Sequence, residues 1–259
     1  MNKMSRNIWY LVVLFAVVSQ PLFAWGNIEH DAIAYIAECN LKPEAKKRIE
    51  SYLGGRSIVY YATWMDHVRK TPEFIFSDTW HMSWVDENFK LIDAPNKETY
   101  RCVQYLEEII ENLTRYQSLD DSTVAVSIKF LIHLVGDMHC PSHVRYSNRT
   151  SFPVKFNGEN VSYHSVWDKH LLRYAQSWSY IEYQHQLDRR SATEISQIVQ
   201  GTPKEWFEQT ARDSIVIYDW AKRDEELGMN FMLKARTLAE NQIMIAGYRL
   251  AHLLNNLFG

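Results

Sequence analysis

Cysteine, excess basic charge and a second long apolar run are all scarce in this chain, and each shortage removes a class of protein. Three cysteines, Cys39, Cys102 and Cys140, are too few and too odd in number for a disulfide framework, allowing at most one bridge and one free thiol. None stands in the paired spacing of a zinc finger or ribbon, so any metal must be held by His, Asp and backbone atoms. The formal net charge of −3 argues against non-specific grip on duplex DNA. Cations bound in a cleft would still admit an anionic substrate. There is no internal repeat, low-complexity tract or linker. With 46% hydrophobic and 14% aromatic residues in 259, disorder is excluded and one sizeable core is expected.

The one long apolar run lies at the N-terminus. Lys3 and Arg6 precede Ile8 to Val18, and Ala24 follows at a plausible cleavage point, so residues 1–24 read as a secretory signal peptide. Leu22 is larger than the residue usual three places before a cut. The run is short for a membrane anchor. Cleavage after Ala24 would make Trp25 the first residue of a single domain, 25–259, exported to the periplasm or beyond, with no membrane association. Asn112, Asn148 and Asn160 each open an N-x-S/T sequon.

Periodicity predicts mostly helix. Ile28 to Leu53 carries apolar residues at helical spacing with a fresh start at Pro43, and Gly54-Gly55 ends it. Ile58 to Val68 reads as another helix, and residues 73–96 as a long irregular segment held by buried rings. Thr99 to Tyr116 is helical, and Asp120 or Asp121 caps a helix reaching His139. Asn157-Gly158 between Val154–Phe156 and Val161–Tyr163 signals a hairpin. Helix resumes over His164 to Tyr174, from Pro203 to about Lys222, and from Met229 to Leu257. The expected fold is all-α: one mainly helical domain with a small β-hairpin.

Chemistry concentrates in FLIHLVGDMHCPSHV, Phe130 to Val144. His133 and Asp137 are four apart and share a helix face, while Pro141 turns the chain so that His143 comes back beside Asp137. Two imidazoles and a carboxylate form an ordinary zinc ligand set. A core histidine beside a solvated aspartate is the plainer alternative. His164 and Asp168 in HSVWD repeat the four-residue spacing, which taken singly is more often a surface hydrogen bond than a ligand pair. Pairs from distant segments are nonetheless what a metal site between packed helices requires. His139, two residues beyond Asp137, is assigned to packing or to hydrogen bonding behind the ligands; His67, next to Asp66, points elsewhere for the same reason, and His170, His185 and His252 show no partner pattern. Trp84 and Phe89 are read as structural aromatics before base-stacking ones.

Trp25 with His30 five residues on, ATWMDHVR, the histidine after Trp80, FLIHLVGDMHCPSH and HSVWD together resemble the zinc-dependent single-strand nucleases of the S1/P1 family. The resemblance implies a phospholipase C/P1 nuclease-like fold and three Zn2+ per chain. One ion would be held by Asp66, His81, His133 and Asp137. A second would be held by Asp137 as a bridge, His30, and the free amine and carbonyl of Trp25, so that signal cleavage completes the site. His143, His164 and Asp168 would hold the third. It further implies a hydroxide between the two ions sharing Asp137, attacking phosphorus in line, with the third ion neutralising the leaving 3′-oxygen. Asp66 and Arg69 would be the catalytic side chains, Arg69 steadying phosphoryl charge or, as the plainer alternative, being an ordinary surface cation.

The implied substrate is single-stranded nucleic acid or a nucleotide, cut to 5′-phosphorylated products, with 3′-nucleotidase activity and no stable protein partner. Met82, Ser83 and Trp84 depart from the family's H-F-I-D, and Ser162 stands where Asn is usual, so base recognition is expected to differ. Zinc-dependent phospholipases C share the metal arrangement but typically end on Glu where this chain has Asp168. A non-catalytic secreted zinc-binding protein is the third reading, opposed by the intact ligands and Arg69.

Overall fold

A computed structural model describes residues 26–93, 99–175 and 178–259. The leader and Trp25 lie outside the described residues. The chain is mainly helical, and its framework is three helices. Helix α1 (Asn27–Cys39) buries Ala32, Ile33, Ile36 and Ala37, the face it lays along the last helix. Helices α2 (Pro43–Tyr52), begun by its proline, and α3 (Trp64–Val68) follow. Gly54 and Gly55 then take φ of 65° and 76°, which terminates α2 as the sequence indicates.

Helix α4 (Cys102–Leu113) packs beside α5 (Asp121–Asp137). Asp120 caps α5 by accepting from the Thr123 amide at 2.9 Å. From Phe130 to Asp137 every α5 residue is buried, so this half is a central core helix rather than an amphipathic surface one.

Two expectations for the first half of the chain need correction. Ile58 to Val68 is not one helix: a 3₁₀ turn, Ile58–Tyr61, is separated from α3 by Thr63 at φ −105°, ψ 9°. The break frees the Ala62 carbonyl, which accepts from His133 Nδ1 at 2.8 Å. Nor are residues 73–96 irregular throughout. They contain a 3₁₀ turn, Ile75–Thr79, and strands β1 (Ser83–Val85) and β2 (Leu91–Ile92). With β3 (Val144–Tyr146) these form a sheet of order β2-β1-β3, antiparallel then parallel, with Ser83 opposite Val144. The sheet staples together the segments that leave His81 and His143. Rings do hold the stretch before it, but half-buried rather than buried ones, Trp80 stacking on Tyr105 at 3.8 Å.

The hairpin forms as anticipated. Strands β4 (Pro153–Phe156) and β5 (Glu159–Ser162) pair antiparallel about Asn157 (φ 52°) and Gly158 (φ 81°). Ser162 then caps α6 (Tyr163–Ser165), and the helix continues through a π turn, Val166–His170, into α7 (Leu171–Ala175). Helices α8 (Tyr180–Leu187) and α9 (Ala192–Ile198) had no counterpart in the periodicity reading, although each opens with a Ser-x-x-Glu capping box. The helix expected from Pro203 to about Lys222 ends sooner: α10 (Pro203–Ser214) gives way to a 3₁₀ turn, Ile215–Asp219.

The chain closes on α11 (Met229–Phe258), 30 residues and about 45 Å long. Gly247 lets α11 approach α1, since a Cβ there would stand 2.5 Å from Ile36 Cγ2. All three cysteines are free thiols, so the bridge that the count allowed is not formed. Among the described residues no helix is long and apolar enough to cross a membrane.

Candidate metal centre

Helix α5 delivers His133 and Asp137 from one face into the core, and everything else at the site is arranged around the Asp137 carboxylate. His81 Nδ1 lies 2.7 Å from Asp137 Oδ2, and His133 Nε2 lies 3.2 Å from the same oxygen. On Oδ1, His143 Nδ1 stands at 3.1 Å and His30 Nε2 at 3.5 Å. Asp66, from α3, sits 3.7 Å from His133 Nε2 and 3.9 Å from His81 Nδ1. A second carboxylate carries the rest: Asp168 lies 3.0 Å from His143 Nε2 and 3.6 Å from His164 Nε2. The structure thus brings eight sequence-predicted donors to one place, and Trp25, the ninth, lies outside the described residues. All eight are buried except His164, whose side chain is 24% exposed.

The donor set fits metal ions. Asp66 Oδ1, His133 Nε2, Asp137 Oδ1 and His143 Nδ1 are buried without a well-aligned hydrogen bond, although they crowd within 4 Å of one another's groups. Buried polar atoms left this way are costly, and converging lone pairs are satisfied by a cation. Three groups have ligand atoms within 4.8 Å of each other: His30, His133 and Asp137; Asp66, His81 and His133; and Cys140, His143 and Asp168. The backbone orients the imidazoles, His133 Nδ1 donating to Ala62 O at 2.8 Å and His164 Nδ1 to Ser142 O at 3.2 Å, which turns each Nε2 inward.

Electrostatics follow from this crowding. Burial works to raise the Asp137 carboxyl, but His133, His143 and His81 together hold it well below the ordinary range. Burial likewise opposes protonation of His133, yet Asp137 and Asp66 push it up to about 9. His30 goes the other way, lowered by burial and by its neighbour His133, on which it stacks at 4.1 Å.

Arg69 closes the arrangement. Its Nε lies 3.5 Å from Asp66 Oδ1 and its Nη1 3.3 Å from Asp78 Oδ1. With Lys70, His81, Tyr100, His143 and Lys169 it lines a cleft of about 310 Å³ over the donors. His139 is buried away from the cluster as expected, Nδ1 donating to Val135 O at 2.7 Å and Nε2 accepting from Arg249 at 2.8 Å. Trp84 is half-buried beneath the Arg145 guanidinium, and Phe89 meets Tyr146 edge to face.

Three residues escaped the sequence reading. Glu29, in the first turn of α1, would pass for a routine helix-start acid. It is buried beside Asp168, with Oε1 unpartnered, and burial foremost, then the Asp168 and Asp31 charges, pushes it up to about 8 against backbone hydrogen bonding. Gly26 makes room for it, since a Cβ there would lie 2.5 Å from Glu29 Oε2. Cys140 joins the third donor group. Gly136, between His133 and Asp137, bears directly on His30: a Cβ would lie 2.6 Å from its Nδ1. Gly136→Ala therefore displaces the His30 ring, and metal affinity should fall by about 10–100-fold, as for other changes behind a ligand. Competition with a chromophoric chelator reads this directly, and parent-like affinity would contradict the packing argument.

The sequence pattern described as S1/P1 Nuclease matches residues 25–259. The chain belongs to the S1/P1 nuclease family. Its curated relatives include "Nuclease S1" of Aspergillus oryzae, 27% identical over 60% of this chain and 56% of the relative. "Nuclease P1" of Penicillium citrinum is 29% identical over 60% of this chain and 64% of the relative. The chain thus spans less than two thirds of the fungal relatives it matches. "Endonuclease 3" of Arabidopsis thaliana is 22% identical over 98% of this chain and 96% of its own length. Except for His81, on the turn before β1, the donors come from helix faces and helix ends rather than from one loop.

His139 yields a pH prediction independent of metal. Burial, then the Arg249 charge, lowers it from 6.5 to about 3 in the folded chain. Between those values the unfolded chain binds the extra proton, so stability falls as pH drops below 6.5 and the loss levels off near 3. The metal-free parent should lose roughly 2–3 kcal/mol more than His139→Gln between pH 7 and pH 4.5. Urea unfolding of both at each pH measures the difference, and parallel losses would contradict it.

Proposed function

We propose that this chain is a zinc-dependent phosphodiesterase that cuts single-stranded DNA and RNA to 5′-phosphorylated nucleotides, with 3′-nucleotidase activity from the same geometry. It would be exported behind a cleaved leader, residues 1–24, and act as one domain over 25–259. The observation that carries this is the buried Asp137 carboxylate ringed by four imidazoles, two of which, His81 and His143, line a cleft edged by Arg69, Lys70 and Lys169. Relatives named as nucleases support it.

Asp66, His81, His133 and Asp137 would hold one zinc ion; His30 and Asp137, with the Trp25 amine and carbonyl, a second; and His143, His164 and Asp168 a third. When bound, zinc supplies Lewis acidity, which lowers the pKa of water and offsets charge on a phosphodiester. The chain's own groups do the rest. Asp137 holds two ligand sets in register from a helix end that the core fixes. Ala62 and Ser142 carbonyls orient His133 and His164.

Arg69, braced by Asp66 and Asp78, faces the cleft where phosphoryl charge develops and stabilises it there. The donors lie beneath the surface, so a strand that can bend away from its partner reaches them and a stacked duplex does not. Trp25 contributes its amine only after cleavage, because an amide nitrogen has no lone pair to offer, and the uncut precursor should be inactive.

Assays of the purified mature protein with zinc test the reading on single-stranded DNA, RNA, duplex DNA and phosphatidylcholine. The expected result is release of 5′-phosphorylated nucleotides from both single strands and little turnover of duplex or lipid. Lipid hydrolysis without nucleotide release would favour a phospholipase instead. Binding of nucleic acid without cleavage would favour a non-catalytic protein.

A further inference from the structure

The spacing of the three cysteines assigns none of them to metal, yet the fold carries one into the donor cluster. After α5 ends at Asp137, the Cys140 amide donates to Asp137 O at 3.0 Å, and the His143 amide donates to Cys140 O at 3.0 Å. This tight turn, held by Pro141, folds the Cys140 side chain beneath His143. Cys140 Sγ, a ring nitrogen of His143 and a carboxylate oxygen of Asp168 lie within 4.8 Å of one another, and all three residues are buried. Sγ also lies 3.4 Å from the Ser142 hydroxyl. Cys102 differs, being engaged with the Leu134 carbonyl at 3.6 Å, and Cys39 is exposed.

We propose that Cys140 ligates, as a thiolate, the metal ion held by His143 and Asp168. With His164 at the cleft lip, the third site then has four protein donors, Cys, two His and Asp, where the family resemblance supplies three. Donor atoms around a tetrahedral zinc stand about 3.5 Å apart, so the present spacing need close by little more than about 1 Å, a small side-chain rotation. As the ion binds, the S–H bond breaks, its proton leaves to solvent, and a sulfur lone pair forms the metal–sulfur bond without change of oxidation state. A soft, charged donor makes this the site that most favours soft ions and least activates water. The proposal rests on the cluster binding metal, not on which ester is cut.

Cobalt(II) substitution of the full mature chain, in a Cys39→Ser background that removes the exposed thiol, gives a readout independent of activity. The expected spectrum has visible d–d bands and a near-ultraviolet thiolate-to-cobalt charge-transfer band, lost in Cys140→Ser and kept in Cys102→Ser. X-ray absorption at the zinc edge of the unsubstituted protein should show a sulfur scatterer at about 2.3 Å, which needs no variant to fold. Full cobalt loading with no charge-transfer band, or a band that survives Cys140→Ser, would overturn the proposal. Absence of any cobalt uptake would overturn the metal reading as well, a result distinct from loss of the sulfur ligand alone.

Discussion

Asp137→Asn should lower turnover on single-stranded DNA by about 10³-fold or more and strip metal from the protein, as follows when a shared charged ligand is removed from metal-assisted hydrolysis. The amide keeps the shape of the carboxylate and loses its charge. Within 3.5 Å of Asp137 stand His30, His81, His133 and His143, and an Asn would point N–H donors among these imidazoles, of which His133 is already held by the Ala62 carbonyl. One substitution therefore damages two ligand sets together. Elemental analysis by mass spectrometry beside steady-state kinetics measures both effects, with circular dichroism to check the fold. Retained zinc at parental stoichiometry would contradict the bridging role.

Chelation produces the second large effect. Each ion contributes RT ln(1 + [L]/Kd), about 4 kcal/mol at a thousandfold excess over Kd, and in a domain of this size 1 kcal/mol moves Tm by about 2–4 °C. Removing the ions should lower Tm by at least roughly 10 °C. The stripped chain should still fold, because Asp137 and Asp168 pair with the imidazoles in the metal-free protein. Calorimetry with excess chelator, then with zinc restored, should show a reversible fall, and an unchanged Tm would mean that the cluster holds no metal.

Much of this fold was legible in the residues. The Asp120 cap and the apolar run to Asp137 located the central helix, and Asn157-Gly158 located the hairpin, because local backbone chemistry decides those elements. The β2-β1-β3 sheet was not legible. Strands of two and three residues carry too little alternation to register, and β1 finds its parallel partner beyond two intervening helices.

The candidate site divides in the same way. His133 with Asp137, and His164 with Asp168, announced themselves by helical spacing. Glu29, Gly136 and Cys140 did not, because their importance arises only from what the tertiary fold places against them: Asp168, the His30 ring, and the His143 imidazole. The Ser-x-x-Glu boxes of α8 and α9 were signals that periodicity alone passed over.

The central claim is that separate segments converge to cage metal around Asp137 and Asp168. Anomalous diffraction at the zinc edge from crystals of the mature protein tests it most directly. Three peaks are predicted, two touching Asp137 and one touching Asp168, each within about 2.0–2.3 Å of the donors named here. A map with no peak at these carboxylates, from protein that cleaves single strands, would contradict it.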